Sequence, residues 1–180
     1  MPRAAIASCC RLHPMSGGHH ILELGRDDVE RVAPLFKQLV DFHREVVEGA
    51  WPVRSVEEAW AHRRRQYEAW LGEGSARMLA AVPAGDEAAA PVGYAVLSVK
   101  TSMASWDVGE RTGELETLAV AEEARGAGMG TMLIEACRER LREQGVRYWA
   151  VAVVEDNADA TRLYERVGFR PFYRQLLAEV

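Results

Sequence analysis

The chain has 180 residues, of which 48% are hydrophobic and 27% charged, a composition typical of globular proteins and outside the range of disordered ones. That length holds one domain with a sizeable core and is short for two. The net charge of −5 argues against a general nucleic-acid binder and is compatible with attraction of cationic amines.

Residues 1–19 read as a loose tail ahead of a folded domain over 20–180. Arg3 precedes a short apolar run, but Arg11 and His13 interrupt it before it reaches a signal-peptide core. No stretch approaches the ~18 apolar residues of a membrane-crossing helix. Three cysteines, with Cys9 and Cys10 adjacent, do not make a disulfide framework. A reducing, cytoplasmic setting is expected, with no nucleic-acid or membrane partner.

From His20, HILELG alternates as a first strand does. Asp27 and Glu30 mark a helix start. Val29, Val32, Leu35, Phe36, Leu39 and Val40 then recur at helical spacing, with Pro34 either near the first turns or kinking the helix. Ser55 and Glu58 form a second capping box, opening a helix with Trp60, Tyr67 and Leu71 along one face. Arg63, Arg64 and Arg65 read as a solvated flank of that helix, with phosphate contact the lesser alternative. Two strand-like runs, from Ala76 and from Val92, surround a turn-rich segment and predict a hairpin. GELETLAV, from Gly113, predicts another strand.

Residues 128–144 carry Met132, Leu133, Ala136, Cys137 and Leu141 at helical spacing and stop at Gly145. Cys137 lies on that apolar stripe as a small buried hydrophobe. YWAVAVV suits a strand buried on both faces. A helix from Asn157 to about Val167 precedes FRPFYRQLLAEV, a terminal strand or hairpin. The order of elements describes a single mixed α/β (α+β) domain.

The chemistry concentrates in Arg125, Gly126, Ala127, Gly128, Met129, Gly130 and Thr131, between a strand and a helix. Glycines there let a ligand approach the backbone, with free N–H groups at the helix N-terminus. Such a place favours phosphate. No lysine precedes Thr131, so a Walker A loop fits poorly, and G-x-G-x-G is not the dinucleotide spacing. A strand-to-helix turn without a ligand remains the alternative. Upstream, Leu115 is apolar, whereas Leu118 and Val120 are apolar with shifted parity. One extra residue, a bulge, would restore a common buried face and free backbone groups beside it. Downstream, Asn157 can cap a helix on which Tyr164 falls seven residues later, nearly on the same face.

These three stretches together resemble the GNAT superfamily of N-acetyltransferases. Arg125-Gly126-Ala127-Gly128-Met129-Gly130 is similar to that family's coenzyme A loop. GELETLAV resembles its bulged fourth strand, and the helix from Asn157 through Tyr164 to Gly168-Phe169 resembles its late signature. Ala121 stands where the family often has proline. The resemblance covers about residues 113–170, and the order of elements extends it back to about residue 20. It implies a mixed, mostly antiparallel central sheet of about six to seven strands flanked by helices. It implies acetyl-coenzyme A as co-substrate, and no histidine–carboxylate spacing suggests a metal. Leu118, Ala119 and Val120 would hold the pantetheine arm, Arg125 to Thr131 the pyrophosphate, and Asn157 would lie beside them. The acceptor would be a small-molecule or peptide amine, and a homodimer is compatible.

Transfer to an amine needs an uncharged nitrogen, and a lysine-like amine has a pKa near ~10.4. A carboxylate can take the proton directly or through water. Glu116 and Glu114 are the candidates, with Glu116 slightly favoured as base or amine anchor; both also read as solvent-facing strand charges. Tyr164 would protonate the departing thiolate, or else is a core tyrosine. A backbone N–H near Val120 would hold the carbonyl oxygen. Histidines 43 and 62 read as helix-face residues rather than ligands. Other readings are an idle acyl-coenzyme A-binding module and, more weakly, a nucleotide-phosphate enzyme.

Overall fold

The computed structural model describes residues 18–180. The expected tail, with Cys9 and Cys10, lies outside the described residues except for its last two positions. In chain order the elements are β1 (His19–Leu24), a 3-10 segment (Arg26–Val32), α1 (Ala33–Val46), α2 (Val56–Glu73), β2 (Ala76–Pro83), β3 (Gly93–Thr101), β4 (Arg111–Val120), a 3-10 turn (Glu122–Ala124), α3 (Met129–Glu143), β5 (Trp149–Val151) and α4 (Ala158–Arg166).

Five strands form one sheet in the order β1-β2-β3-β4-β5. The first three pairings are antiparallel, and β4 and β5 run parallel. Both faces of the sheet are covered, which explains why its middle strands are continuously apolar. Met78 and Ala80 of β2 with Tyr94 and Val96 of β3 pack under the 3-10 segment, α1 and α2. Their neighbours Leu79, Ala81, Ala95 and Leu97 pack on the other face, against Leu133, Ile134, Cys137 and Leu141 of α3. Period-two alternation thus sorts one apolar run into two cores.

The early helices form for the reasons their sequence suggests, with two changes. The chain starts its first helical segment as a 3-10 turn, and Asp28, not Glu30, reaches back to the Gly25 N–H at 3.2 Å. Pro34 then stands in the first turn of α1, where no intrahelical hydrogen bond needs its missing N–H. Ser55 and Glu58 cap α2 reciprocally: Ser55 Oγ accepts from the Glu58 N–H at 3.3 Å, and the Ser55 N–H donates to Glu58 Oε2 at 3.4 Å. Arg63 is not a solvated flank. Its guanidinium sits 5.9 Å from the Phe36 ring centre and 5.6 Å from that of Tyr67, so α1 and α2 are joined by a cation resting on two rings.

The late part of the chain holds fewer strands than expected. YWAVAVV gives only the three residues of β5, with Ala150 exposed, and residues 170–180 adopt no strand. Among the described residues the sheet therefore has five strands rather than six or seven. A three-residue edge offers a short template, and Pro171 cannot donate a ladder hydrogen bond. Phe172 instead meets Trp106 edge-on at 4.6 Å between ring centres. Among the described residues, no helix is long and apolar enough to cross a membrane.

Candidate active site

The register between β3 and β4 shifts once. Val96 faces Thr117, but the next residue, Leu97, faces Leu115, leaving Glu116 as the extra residue. Leu115 packs in the core under α3, and beyond the bulge Leu118 and Val120 pack against that same core. Ala119 turns to the core under α1 and α2. The bulge reconciles the broken alternation of GELETLAV, as the spacing predicts.

The bulge coincides with a parting of strands. β5 pairs with β4 only at Gly113–Trp149, Glu114–Ala150 and Leu115–Val151, while β4 continues to Val120. From Glu116 onward, no strand among the described residues lies beside that edge of β4. The Ala121 N–H donates to Val92 O on the β3 side at 2.9 Å. By alternation, the N–H and C=O groups of Leu118 and Val120 face the opposite way, into the gap. Arg125 Nε reaches Val120 O at 3.4 Å from that side.

At the end of the gap stands the N-terminus of α3. Gly126 and Gly128 have φ of 76° and 84°, left-handed values that a side chain disfavours. Among the described residues, no atom beyond the glycine and its two chain neighbours lies within 4 Å of where a Cβ would stand at either position, so the approach to the backbone is open. Gly128 is the N-cap and offers no side-chain acceptor. The N–H groups of Gly128, Met129, Gly130 and Thr131 are thus left for a ligand, and their dipoles favour an anion. Arg125 borders the turn, its guanidinium 5.7 Å from the Phe42 ring centre on α1. At Gly130 a Cβ would meet Leu163 Cδ2 at 3.1 Å, which brings α4 against the first turn of α3.

Glu114 and Glu116 come together on the α1–α2 face. The Lys100 ammonium lies 2.6 Å from Glu114 Oε2 and 2.7 Å from Glu116 Oε1. Ser98 Oγ donates to the same Glu116 oxygen at 2.6 Å. The side chain of Glu116 is 11% exposed and that of Glu114 37%, so Glu116 is the more enclosed. Burial acts to lower the Lys100 pKa, but hydrogen bonds and charge from the two carboxylates outweigh it and hold the ammonium above its ordinary value. Neither Lys100 nor Ser98 was singled out by the sequence reading. Period-two alternation along β3 places both on the face of Tyr94 and Val96, which is the signal that finds them.

Tyr164 lies on the other face of the sheet. Asn157 caps its helix, accepting from the Ala160 N–H at 3.0 Å. After α4 the Phe169 N–H returns to Tyr164 O at 2.9 Å, and the two rings meet at 5.7 Å; Gly168, at φ 101°, permits this turn. Tyr164 is 9% exposed, and burial pushes its phenol up to about 12. Its hydroxyl has no hydrogen-bond partner among the described residues. The two glutamates and Tyr164 are therefore not in contact; the parted strands lie between them. Cys137 is fully buried, its thiol pushed up to about 12 by burial, as suits a core residue. Among the described residues, no group of three or more His, Cys, Asp or Glu is arranged to hold a metal ion.

Comparison with known proteins places this geometry in context. The family described as the acetyltransferase (GNAT) family matches residues 37–169. The mycothiol acetyltransferase of Thermobispora bispora is 30% identical over 151 residues, covering 82% of this chain and 44% of that protein. A mycothiol acetyltransferase of Corynebacterium jeikeium is 40% identical over 63 residues, covering 35% of this chain and 18% of that protein. The chain thus spans less than half the length of these curated relatives. Among solved structures, a GCN5-related N-acetyltransferase from Ralstonia eutropha superposes with a TM-score of 0.70 at 22% identity, covering 90% of this chain and 99% of that one. An aminoglycoside N-acetyltransferase, AAC(6')-Iy, in complex with CoA superposes with a TM-score of 0.67 at 16% identity, covering 94% of this chain and 99% of that one.

Proposed function

The chain belongs to the GNAT acetyltransferase family, and from that premise we propose that it moves an acetyl group from acetyl-coenzyme A to a primary amine of a small molecule or peptide. The observation that carries the reading is the early end of the β4–β5 ladder, at Leu115–Val151, beside a glycine-opened helix N-terminus. A strand edge with free amide groups suits the peptide-like pantetheine arm. The N–H groups from Gly128 to Thr131, with Arg125 at their border, suit a diphosphate.

In this reading the arm lies along Leu118, Ala119 and Val120, the pyrophosphate on the turn from Arg125 to Thr131, and Asn157 beside them. The Asn157 side-chain oxygen is committed to its helix cap, so only its amide NH2 is left for a ligand. The acceptor ammonium docks against Glu116 and Glu114, and Glu116 takes its proton directly or through water. The neutral nitrogen attacks the thioester carbonyl, and a backbone N–H near Val120 faces the developing oxyanion. Tyr164, kept protonated by burial, returns a proton to the leaving sulfur. Its position across the sheet supports the division of labour, since base and acid then work from opposite sides of the gap.

The test is a thiol-release assay over a panel of amines that includes an aminoglycoside and short peptides, alongside calorimetry with acetyl-coenzyme A. Saturable binding with amine-dependent thiol release supports the proposal. Binding without release from any amine would favour an idle acyl-coenzyme A-binding module, and no binding would defeat both.

A further inference from the structure

We propose that Lys100 is an acceptor in its own right, a site of self-acetylation whose side-chain amine occupies the place of the substrate amine. The proposal rests on the reading of Glu116 and Glu114 as the groups that hold and deprotonate the acceptor.

The chain contains two lysines, Lys37 and Lys100, against twenty arginines. Among the described residues, every other lysine or arginine paired to a carboxylate is an arginine, at Arg31, Arg44, Arg64, Arg77, Arg138, Arg140, Arg162 and Arg174. The pair of glutamates is served by a lysine instead. For an ion pair alone, arginine does at least as well, with a fork that matches a carboxylate. What lysine adds is a nitrogen that can lose its proton and act as a nucleophile, which a guanidinium does not do. The location fits that difference. Lys100 Nζ is 2.7 Å from Glu116 Oε1, and Glu116 is the residue at which β4 bulges and leaves β5. The amine therefore rests against the more enclosed carboxylate, on the residue where β4 loses its β5 neighbour. Its side chain is about half exposed, at 49%, so it can swing toward a thioester.

The transfer balances without any further reactant. Glu116 accepts a proton from the Lys100 ammonium, and the nitrogen lone pair forms an N–C bond to the thioester carbonyl carbon. The C–S bond breaks with its electron pair on sulfur. The nitrogen sheds a second proton; of the two, one ends on sulfur and one in solvent. The products are Nζ-acetyl-Lys100 and free coenzyme A. Acetylation also removes the positive charge that neutralises Glu114 and Glu116, leaving two carboxylates ready for an external ammonium.

The experiment incubates the purified full chain with acetyl-coenzyme A and no added amine, followed by intact mass and peptide mapping. One acetyl group should accumulate on Lys100 at least about tenfold faster than on Lys37, in line with general-base assistance. The rate constant should not depend on protein concentration. Lys100→Arg should lose that label, and Glu116→Gln, shown folded by circular dichroism, should slow it to the pace of Lys37. Label on both lysines at equal rates, or at Lys100 undiminished in Glu116→Gln, would identify plain chemical acetylation and overturn the proposal. If Lys100 stays unmodified while external amines are acetylated, the proposal falls and the proposed function stands. If acetyl-coenzyme A does not bind at all, the proposed function falls with it.

Discussion

The Tyr67 hydroxyl lies 2.7 Å from Thr117 Oγ1, so the residue just past the bulge in β4 is tied to the middle of α2. Tyr94 closes a trio at 3.3 Å from the Tyr67 hydroxyl, all of it in the core. This knot fixes how the strand leaves its neighbour. Tyr67→Phe removes the shared partner and strands the Thr117 hydroxyl in an apolar place. The expected cost is about 1–3 kcal/mol, read as a lower urea midpoint with an unchanged m-value. An unchanged midpoint would mean that the bulge needs no tether.

Glu116→Gln should lower kcat/KM for an amine by about 100-fold or more, the scale of a lost general base. Glu114→Gln should act mainly on KM for cationic amines, because its side chain is the more exposed of the two. Steady-state kinetics of both variants over the same amine decide between them. The reverse ranking would make Glu114 the base.

Tyr164→Phe should lower kcat more than it changes the affinity for acetyl-coenzyme A, since the phenol acts on the leaving sulfur and not on the bound arm. The check is turnover with calorimetric affinity measured on the same preparation. Unchanged turnover, with chemistry shown to limit the rate, would leave Tyr164 as a packing residue.

Alkaline pH should loosen both cores of the molecule, since burial raises the Tyr67 and Tyr94 phenols under α1 and α2 as well as the groups beneath α3 and α4. Cys137 and Tyr164 start from ordinary values of 9.0 and 10.0 and are both pushed up to about 12 by burial. Each therefore binds its proton more tightly folded than unfolded. Their stabilising effect is complete below the unfolded values and is lost as pH climbs through about 12. Between those limits each group makes stability fall by roughly 1.4 kcal/mol per pH unit. Urea unfolding over that range should show the slope, and Tyr164→Phe should flatten its upper part.

Gly113→Ala tests a glycine of β4 that has no room for a side chain. A Cβ there would stand 2.6 Å from Leu141 Cδ2 and 3.0 Å from Trp149 Cβ. The Leu141 side chain is buried and has little room to yield, so the change should cost about 1–3 kcal/mol. Thermal melts measure it. The loss should be accompanied by faster exchange of amides in β5, which hangs from this rung.

Much of this arrangement is local and therefore legible in the letters. The Ser55–Glu58 box, the Asn157 cap and the shifted parity of Leu115 and Leu118 are each settled within a few residues, by hydrogen bonding or by which face must be dry. What escapes is set by distant partners. Arg63 reads as a surface charge until Phe36 and Tyr67 are brought beneath it. Lys100 reads as a strand end until the β3–β4 register aims it at two glutamates. The apolar run at YWAVAVV promises a long buried strand, but a strand needs a neighbour, and β4 turns aside after three pairs.

The three-rung junction between β4 and β5 leaves the second half of the molecule lightly fastened through the sheet. If a pantetheine arm lies along Leu118 and Val120, its amides supply rungs that the polypeptide omits. The bound substrate then acts as a removable strand. Folding stability and occupancy rise together, and β5 with α4 should breathe most in the interval between product release and the next arrival.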